Sequence, residues 1–253
     1  MKMKTAQFYL ILLSALVVFG ISTNSIPSIL AAGIVLVLYL YSKDKKALKT
    51  HSINQEIEIS KQLEEGTYYP SHKAIDFYHN MEEDITLLKE MGLECFRFSI
   101  SWARIFPTGE ETEPNQAGLD FYKKMIDLLL DAGIEPIITL SHYETPMYLV
   151  EKYGGWDHRA LVDLFVRYCK VLYEEFADRV TYWMSFNELN NVIKIPWFAA
   201  AMDTSDSDHP AQRQYQSAHH MFVAHSLATK ALKEANPKAQ MGCMLSLSGV
   251  YPE

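Results

Sequence analysis

From residue 77 onward, hydrophobic positions switch repeatedly between two periods. Met81, Ile85, Leu88 and Met91 recur at helical spacing, and Gly92 stops the run, which predicts a helix over 77–91. Leu93–Ile100 follows as a strand. Leu119, Tyr122, Ile126, Leu129 and Leu130 form the inner stripe of a second helix over 118–132, ended by Gly133, and 134–141 reads as the second strand. Leu161, Leu164, Phe165, Tyr168, Leu172 and Phe176 mark a third helix over 158–177, with a strand over 180–186. A fourth helix over 212–235 and a fourth strand over 239–247 complete the series. A helix followed after a short turn by a largely apolar strand is the pattern of a parallel sheet covered by helices. Right-handed crossovers curl such a sheet into either a doubly wound sheet or a barrel. Neither G-x-G-x-x-G nor G-x-x-x-x-G-K-[ST] follows any strand, which weakens the dinucleotide and P-loop versions.

Residues 1–50 follow another pattern. Apolar runs over 8–21 and 26–41 are separated by Ser22-Thr-Asn-Ser25 and flanked by Lys2, Lys4, Lys43, Lys45, Lys46 and Lys49. Each run is shorter than a hydrocarbon core of about 30 Å, and together they exceed one straight span. Two short tilted helices in a hairpin, with both ends in the cytoplasm, are the expected arrangement, giving membrane association through residues 8–41. A secretory signal peptide and a segment foreign to the rest are the competing readings. The expected division is a hydrophobic helical segment over 1–50 and an α/β domain over 51–253.

Composition narrows the function classes. With 49% apolar residues the chain can bury a core, and a net charge of −8 argues against a nucleic-acid surface. Cys95, Cys169 and Cys243 are far apart and odd in number, so they read as reduced, buried small hydrophobes of a cytosolic protein. Metal chemistry finds little support. His219, His220 and His225 lack carboxylate or Cys partners at zinc-like spacing and read as surface or packing residues. The loop Asp203–Asp208 lacks the Gly and distal Glu of a calcium loop. Glu64-Glu65 and Glu110-Glu111 read as solvated charge. No cofactor is expected.

Polar residues instead gather where strands run out. The second strand leads into Ser141-His142-Tyr143-Glu144, the third into Asn187-Glu188, and the first carries Arg97 and then Ser101-Trp102. In a barrel, C-terminal strand ends converge on one pocket. Cleaving a glycosidic bond needs a carboxylic acid to protonate the departing oxygen and a second carboxylate across the sugar ring. Glu188 fits the first role, an imidazole and an amide beside it can bind ring hydroxyls, and Trp and Tyr offer flat faces to a sugar. Against this stand blander roles: a solvated loop carboxylate for Glu188, a structural hydrogen bond for His142, and an ion pair for Arg97.

Several segments in order carry a resemblance. Cys95-Phe-Arg-Phe-Ser-Ile-Ser-Trp-Ala-Arg-Ile-Phe-Pro107 with Gly109, Gly133–His142, Tyr153-Gly-Gly-Trp156 and Trp183–Glu188 resemble glycoside hydrolase family 1. Ala74-Ile-Asp-Phe-Tyr-His79, Ser141-His-Tyr-Glu144 and Asn187-Glu-Leu-Asn190 are similar to its 6-phospho-β-glucosidase branch. The resemblance covers about residues 50–253. It implies a partial (β/α)8 TIM barrel holding about strands 2–5, and retaining hydrolysis of a phosphorylated β-glucoside in the cytoplasm. By the same resemblance Glu188 is the catalytic acid/base, His142 and Asn187 bind the glycone, and Arg97 supports the carboxylates. The family's nucleophile lies in a Glu-Asn-Gly motif that does not occur here. The chain therefore reads as a fragment inactive by itself. Half of an enzyme assembled in trans and a membrane-tethered, non-catalytic sugar-binding module are the alternatives. The oligomeric state is left open.

Overall fold

A computed structural model describes residues 68 and 73–247, within one compact unit, Glu64–Glu253. The hydrophobic segment 1–50 and Glu64-Glu65 lie outside the described residues. Among those described, no helix is long and apolar enough to cross a membrane.

Four strands form one parallel sheet in sequential order: β1 (Cys95–Ser99), β2 (Glu135–Ser141), β3 (Tyr182–Phe186) and β4 (Gln240–Gly242). The main helices are α1 (Phe77–Glu90), α3 (Gln116–Asp131), α5 (Ala160–Phe176) and α7 (Pro210–Ala235). Shorter helices lie at the strand exits: α2 (Trp102–Ile105), α4 (Met147–Tyr153) and α6 (Pro196–Ala200), with 3-10 turns at Gly155–Asp157 and Leu189–Ile193. Pro196 and Pro210 open α6 and α7, where a missing N–H costs nothing. Sequential parallel order with right-handed crossovers winds in one direction and brings every crossover helix to the same sheet face. A doubly wound sheet would show a reversal of strand order, and these four strands show none.

The register makes the two faces unlike. Phe96, Phe98, Ile138, Trp183 and Met241 share the helix-covered face. Cys95, Arg97, Ile137, Tyr182, Met184 and Gln240 share the other and are half-buried to exposed, Tyr182 at 42%, while Thr139 on the same face is buried. Beneath the C-terminal strand ends sits an aromatic core. Trp102 stacks on Tyr168 at 5.5 Å, and Phe165 stacks on Phe186 at 4.7 Å with Trp156 edge-on to both. The buried Tyr168 hydroxyl donates to the carbonyls of Ile100 (2.7 Å) and Leu140 (3.0 Å), tying the ends of β1 and β2 together.

Several expectations need correction. Met91 is 73% exposed, because α1 ends at Glu90 and the chain turns through left-handed Gly92. Cys95 is exposed, since it lies on the uncovered sheet face; Cys169 is buried and Cys243 half-buried, and all three are free. The fourth strand keeps only three residues of the nine expected. Glu110 is not merely solvated: it accepts from Lys152 Nζ and the Tyr153 hydroxyl, both at 2.6 Å. Glu111 accepts from the backbone N–H groups of Thr108 (2.7 Å) and Gly109 (3.1 Å), closing that turn. Trp102 is buried in the aromatic core and offers no face to a ligand.

Candidate active site

Arg97 projects from the uncovered face of β1 toward the exits of β2 and β3. Its Nε donates to Thr139 Oγ1 and one terminal nitrogen to Asn187 Oδ1, both at 2.9 Å, while the other approaches Met244 Sδ at 3.2 Å. Those partners lie on β2 and just past β3 and β4, so one fork of donors spans four strand ends. Among the described residues the partners of Arg97 are neutral, which sets aside the ion-pair reading there.

Glu188 follows Asn187 in a left-handed conformation, φ 45° and ψ 49°. A non-glycine residue there is strained by about 1–3 kcal/mol and persists only where its surroundings over-determine it. Here they do. The Asn187 N–H donates to Ser141 O, and the Leu189 N–H to Met244 O (3.2 Å). The Asn190 side chain pairs with Ser246 in both directions, donating to its carbonyl and accepting from its N–H at 2.8 Å. Past Gly242 the chain keeps one more bond to β3, the Met244 N–H donating to Phe186 O at 3.1 Å, and then pairs with the turn after Glu188.

The turn delivers the Glu188 carboxylate, half-buried, into a cluster with Tyr143 and Asn191. The Tyr143 hydroxyl donates to Oε2 at 2.5 Å, and Asn191 Nδ2 donates to the same oxygen at 2.9 Å and to the Tyr143 oxygen at 3.0 Å. Tyr143 is itself left-handed, φ 72°, which swings its ring from the end of β2 across to Glu188. Burial first, and the bond to Glu188 next, push the Tyr143 phenol up, so it keeps its proton and donates.

His142 stands at the exposed rim, edge-on to Tyr143 at 5.5 Å. Partial burial of the ring, then the positive charge of Arg97, lower its imidazole, and Glu188 acts the other way. The ring is therefore neutral at pH 7, with one donor and one acceptor. The four residues singled out by sequence thus gather at adjacent strand ends. Tyr143 and Asn191 were missed as site residues; the signal available was their position, one after His142 and three after Glu188.

Of the clustered histidines, His219 is exposed and the other two pack. His220 Nδ1 meets Trp156 O at 2.9 Å, and His225 Nδ1 meets Ser185 Oγ at 2.8 Å behind the sheet. Among the described residues no group of three or more His, Cys, Asp or Glu side chains is placed to hold a metal ion.

Comparison with known proteins identifies the family. The profile of glycosyl hydrolase family 1 matches residues 48–253. The chain is 46% identical over 200 residues to the aryl-phospho-β-D-glucosidase BglA of Bacillus subtilis, covering 77% of this chain and 42% of that protein. It is 46% identical over 191 residues to the 6-phospho-β-glucosidase AscB of Escherichia coli, covering 76% and 40%. The solved structure of the rice β-glucosidase Os3BGlu6 superposes with a TM-score of 0.62 at 36% identity, over 68% of this chain and 39% of that one. The chain spans about two fifths of the length of the relatives it matches. With a profile match over most of its residues and the matching motifs assembled at one set of strand ends, this chain belongs to glycosyl hydrolase family 1.

Proposed function

We propose that this chain carries the proton-donating half of a retaining glycosidase acting on 6-phosphorylated β-glucosides. Glu188 is the acid/base, Asn187 and His142 bind the sugar ring, and Arg97 fixes Asn187. The observation that carries the reading is the convergence of Glu188, Asn187, Arg97 and His142 on the exits of β1, β2 and β3. An acid there can protonate a departing oxygen while a neutral imidazole and an amide bind hydroxyls of the ring. The phosphorylated substrate class rests on the relatives, two of which are named for phospho-β-glucosides. A substrate phosphorylated on uptake puts the chemistry in the cytoplasm.

The four strands are strands 2–5 of an eight-stranded (β/α)8 barrel. Two observations support this: their one-directional order, and the sheet face of Arg97, Ile137, Tyr182 and Met184, which in a closed barrel would be the filled interior. Retaining hydrolysis needs a second carboxylate about 5–5.5 Å from the first. Among the described residues, Glu188 is the carboxylate bonded into this cluster. Because no Glu-Asn-Gly occurs within 73–247, we assign the nucleophile to a segment outside it.

The test is a chimera in which residues 73–247 replace the matching segment of BglA. It should hydrolyse 4-nitrophenyl 6-phospho-β-D-glucoside, and Glu188→Gln should cut that rate by about 10²–10⁴-fold, the usual worth of a general acid. A chimera indifferent to Glu188→Gln would refute the assignment. Turnover by the unmodified chain, abolished by Glu188→Gln, would show that the chain carries both carboxylates.

A further inference from the structure

We propose that Tyr143 and Asn191 form a clamp on Oε2 of Glu188 that designates Oε1 as the oxygen exchanging a proton with the glycosidic bond. The proposal rests on Glu188 being the proton donor. A free carboxyl group has two equivalent oxygens and rotates between them. Here they are not equivalent. Oε2 accepts from the Tyr143 hydroxyl at 2.5 Å and from Asn191 Nδ2 at 2.9 Å, whereas Oε1 accepts no hydrogen bond among the described residues. An oxygen holding two donors is a poor site for a third proton, so a protonated Glu188 carries its proton on Oε1.

The clamp is built rather than incidental. The third side of the triangle is closed by Asn191 Nδ2 donating to the Tyr143 oxygen at 3.0 Å. The two donors come from separate elements, the exit of β2 and the 3-10 turn after β3, and each reaches the carboxylate through left-handed backbone, at Tyr143 and at Glu188 itself. Asn191 is 8% exposed, so little water competes for its amide. Hydrogen bonds to an ionised acceptor are shorter and about twice as strong as neutral ones. As the proton leaves Oε1, the departing oxygen takes it together with the bonding pair from the anomeric carbon. The negative charge that grows on the carboxylate is then met at Oε2 by two donors already in place. Tyr143 and Asn191 are thus positioning residues: they touch the acid, not the reacting atoms.

The test uses the full chain and needs no turnover. Glutamate is labelled with ¹³C, the Glu188 resonances are assigned by their loss in Glu188→Gln, and side-chain couplings report the rotamer. The wild-type chain should show one Glu188 rotamer. Tyr143→Phe, which removes a single oxygen, and Asn191→Leu, which keeps the shape without the donor, should each shift the carboxyl resonance. Their combination should average the rotamers while the β3 amide resonances stay in place, a pattern that a merely structural role does not produce. A single unshifted rotamer in the double variant overturns the clamp, whatever the hydrolysis assay returns. Should the double variant not fold, Tyr143→Phe decides: an unshifted carboxyl resonance overturns the proposal. A chimera that hydrolyses with Glu188→Gln overturns the assignment of Oε1 separately, through the proton-donor reading.

Discussion

Replacing Arg97 with Met tests whether the fork across the strand ends holds the site together. Met keeps most of the aliphatic stem and removes all the donors, so packing loss is small. Two acceptors are then abandoned: Thr139 Oγ1, in a residue 1% exposed, and Asn187 Oδ1, in a residue 6% exposed. A buried acceptor left unsatisfied costs about 1–3 kcal/mol, which gives about 2–6 kcal/mol for the pair. Two effects reduce this. Arg97 is half-exposed, so water can reach part of the vacated space, and removing a charge without a carboxylate partner relieves some desolvation. A net loss of about 3 kcal/mol is expected. At about 2–4 °C per kcal/mol for a unit of this size, the melting temperature should fall by about 6–12 °C. Urea unfolding followed by far-UV circular dichroism measures it. Thr139→Val in the same background should be sub-additive, because one of its hydrogen bonds is already gone. A loss below about 1 kcal/mol, or strict additivity, would refute the idea that Arg97 organises these strand ends.

Gly155 has φ +67°, and a Cβ there would lie 2.1 Å from the Ala201 carbonyl oxygen; Gly155→Ala should cost about 3 kcal/mol or more in a thermal melt. Phe165→Ala removes a fully buried ring from the aromatic core and should destabilise by about 3–5 kcal/mol in urea. Burial lowers the His225 imidazole below its ordinary 6.5, and the His142 imidazole is lowered too. The unfolded chain then takes up these protons first, so stability is full above about pH 6.5 and falls as pH drops toward the lower folded-state values. Urea midpoints between pH 7.5 and pH 5 should show this, with a shallower slope in His225→Gln. Glu111 and Asp127, held low by their partners, act only below about pH 4.5, whereas the Glu144 carboxyl, pushed up by burial, adds stability as pH falls and opposes the histidines, so the change in slope in His225→Gln is the deciding readout. In the BglA chimera, Tyr143→Phe should slow alkyl 6-phospho-β-glucosides, which need protonation, more than dinitrophenyl 6-phospho-β-glucosides, which do not; equal slowing would count against a role at the acid.

The barrel-like order of elements was legible because four apolar helix stripes alternate with four apolar strands and each helix passes into its strand through a short turn. Arg97, Asn187 and Glu188 were legible as neighbours because parallel strands bring their ends to one side. Tyr143 and Asn191 were not, since their contacts depend on two left-handed residues, and hydrophobic period carries no sign of φ. The same turn bounds the fourth strand: after the Met244 N–H bonds to Phe186 at the end of β3, the chain passes on to Leu189 and Asn190. Met91 and Cys95 were misread because hydrophobicity alone does not say which sheet face or helix end stays uncovered. The 1–50 segment lies outside the described residues.

The left-handed backbone at position 188 sets foldability against chemistry. Glycine, asparagine and aspartate occupy that region more cheaply than glutamate. A library randomised at this codon and screened only for heat resistance should therefore enrich those three and discard the long carboxylate. The same library screened for sugar release in the chimera should return glutamate. How far the two winners differ in melting temperature would measure what the protein gives up in robustness to hold a proton donor at the end of its third strand.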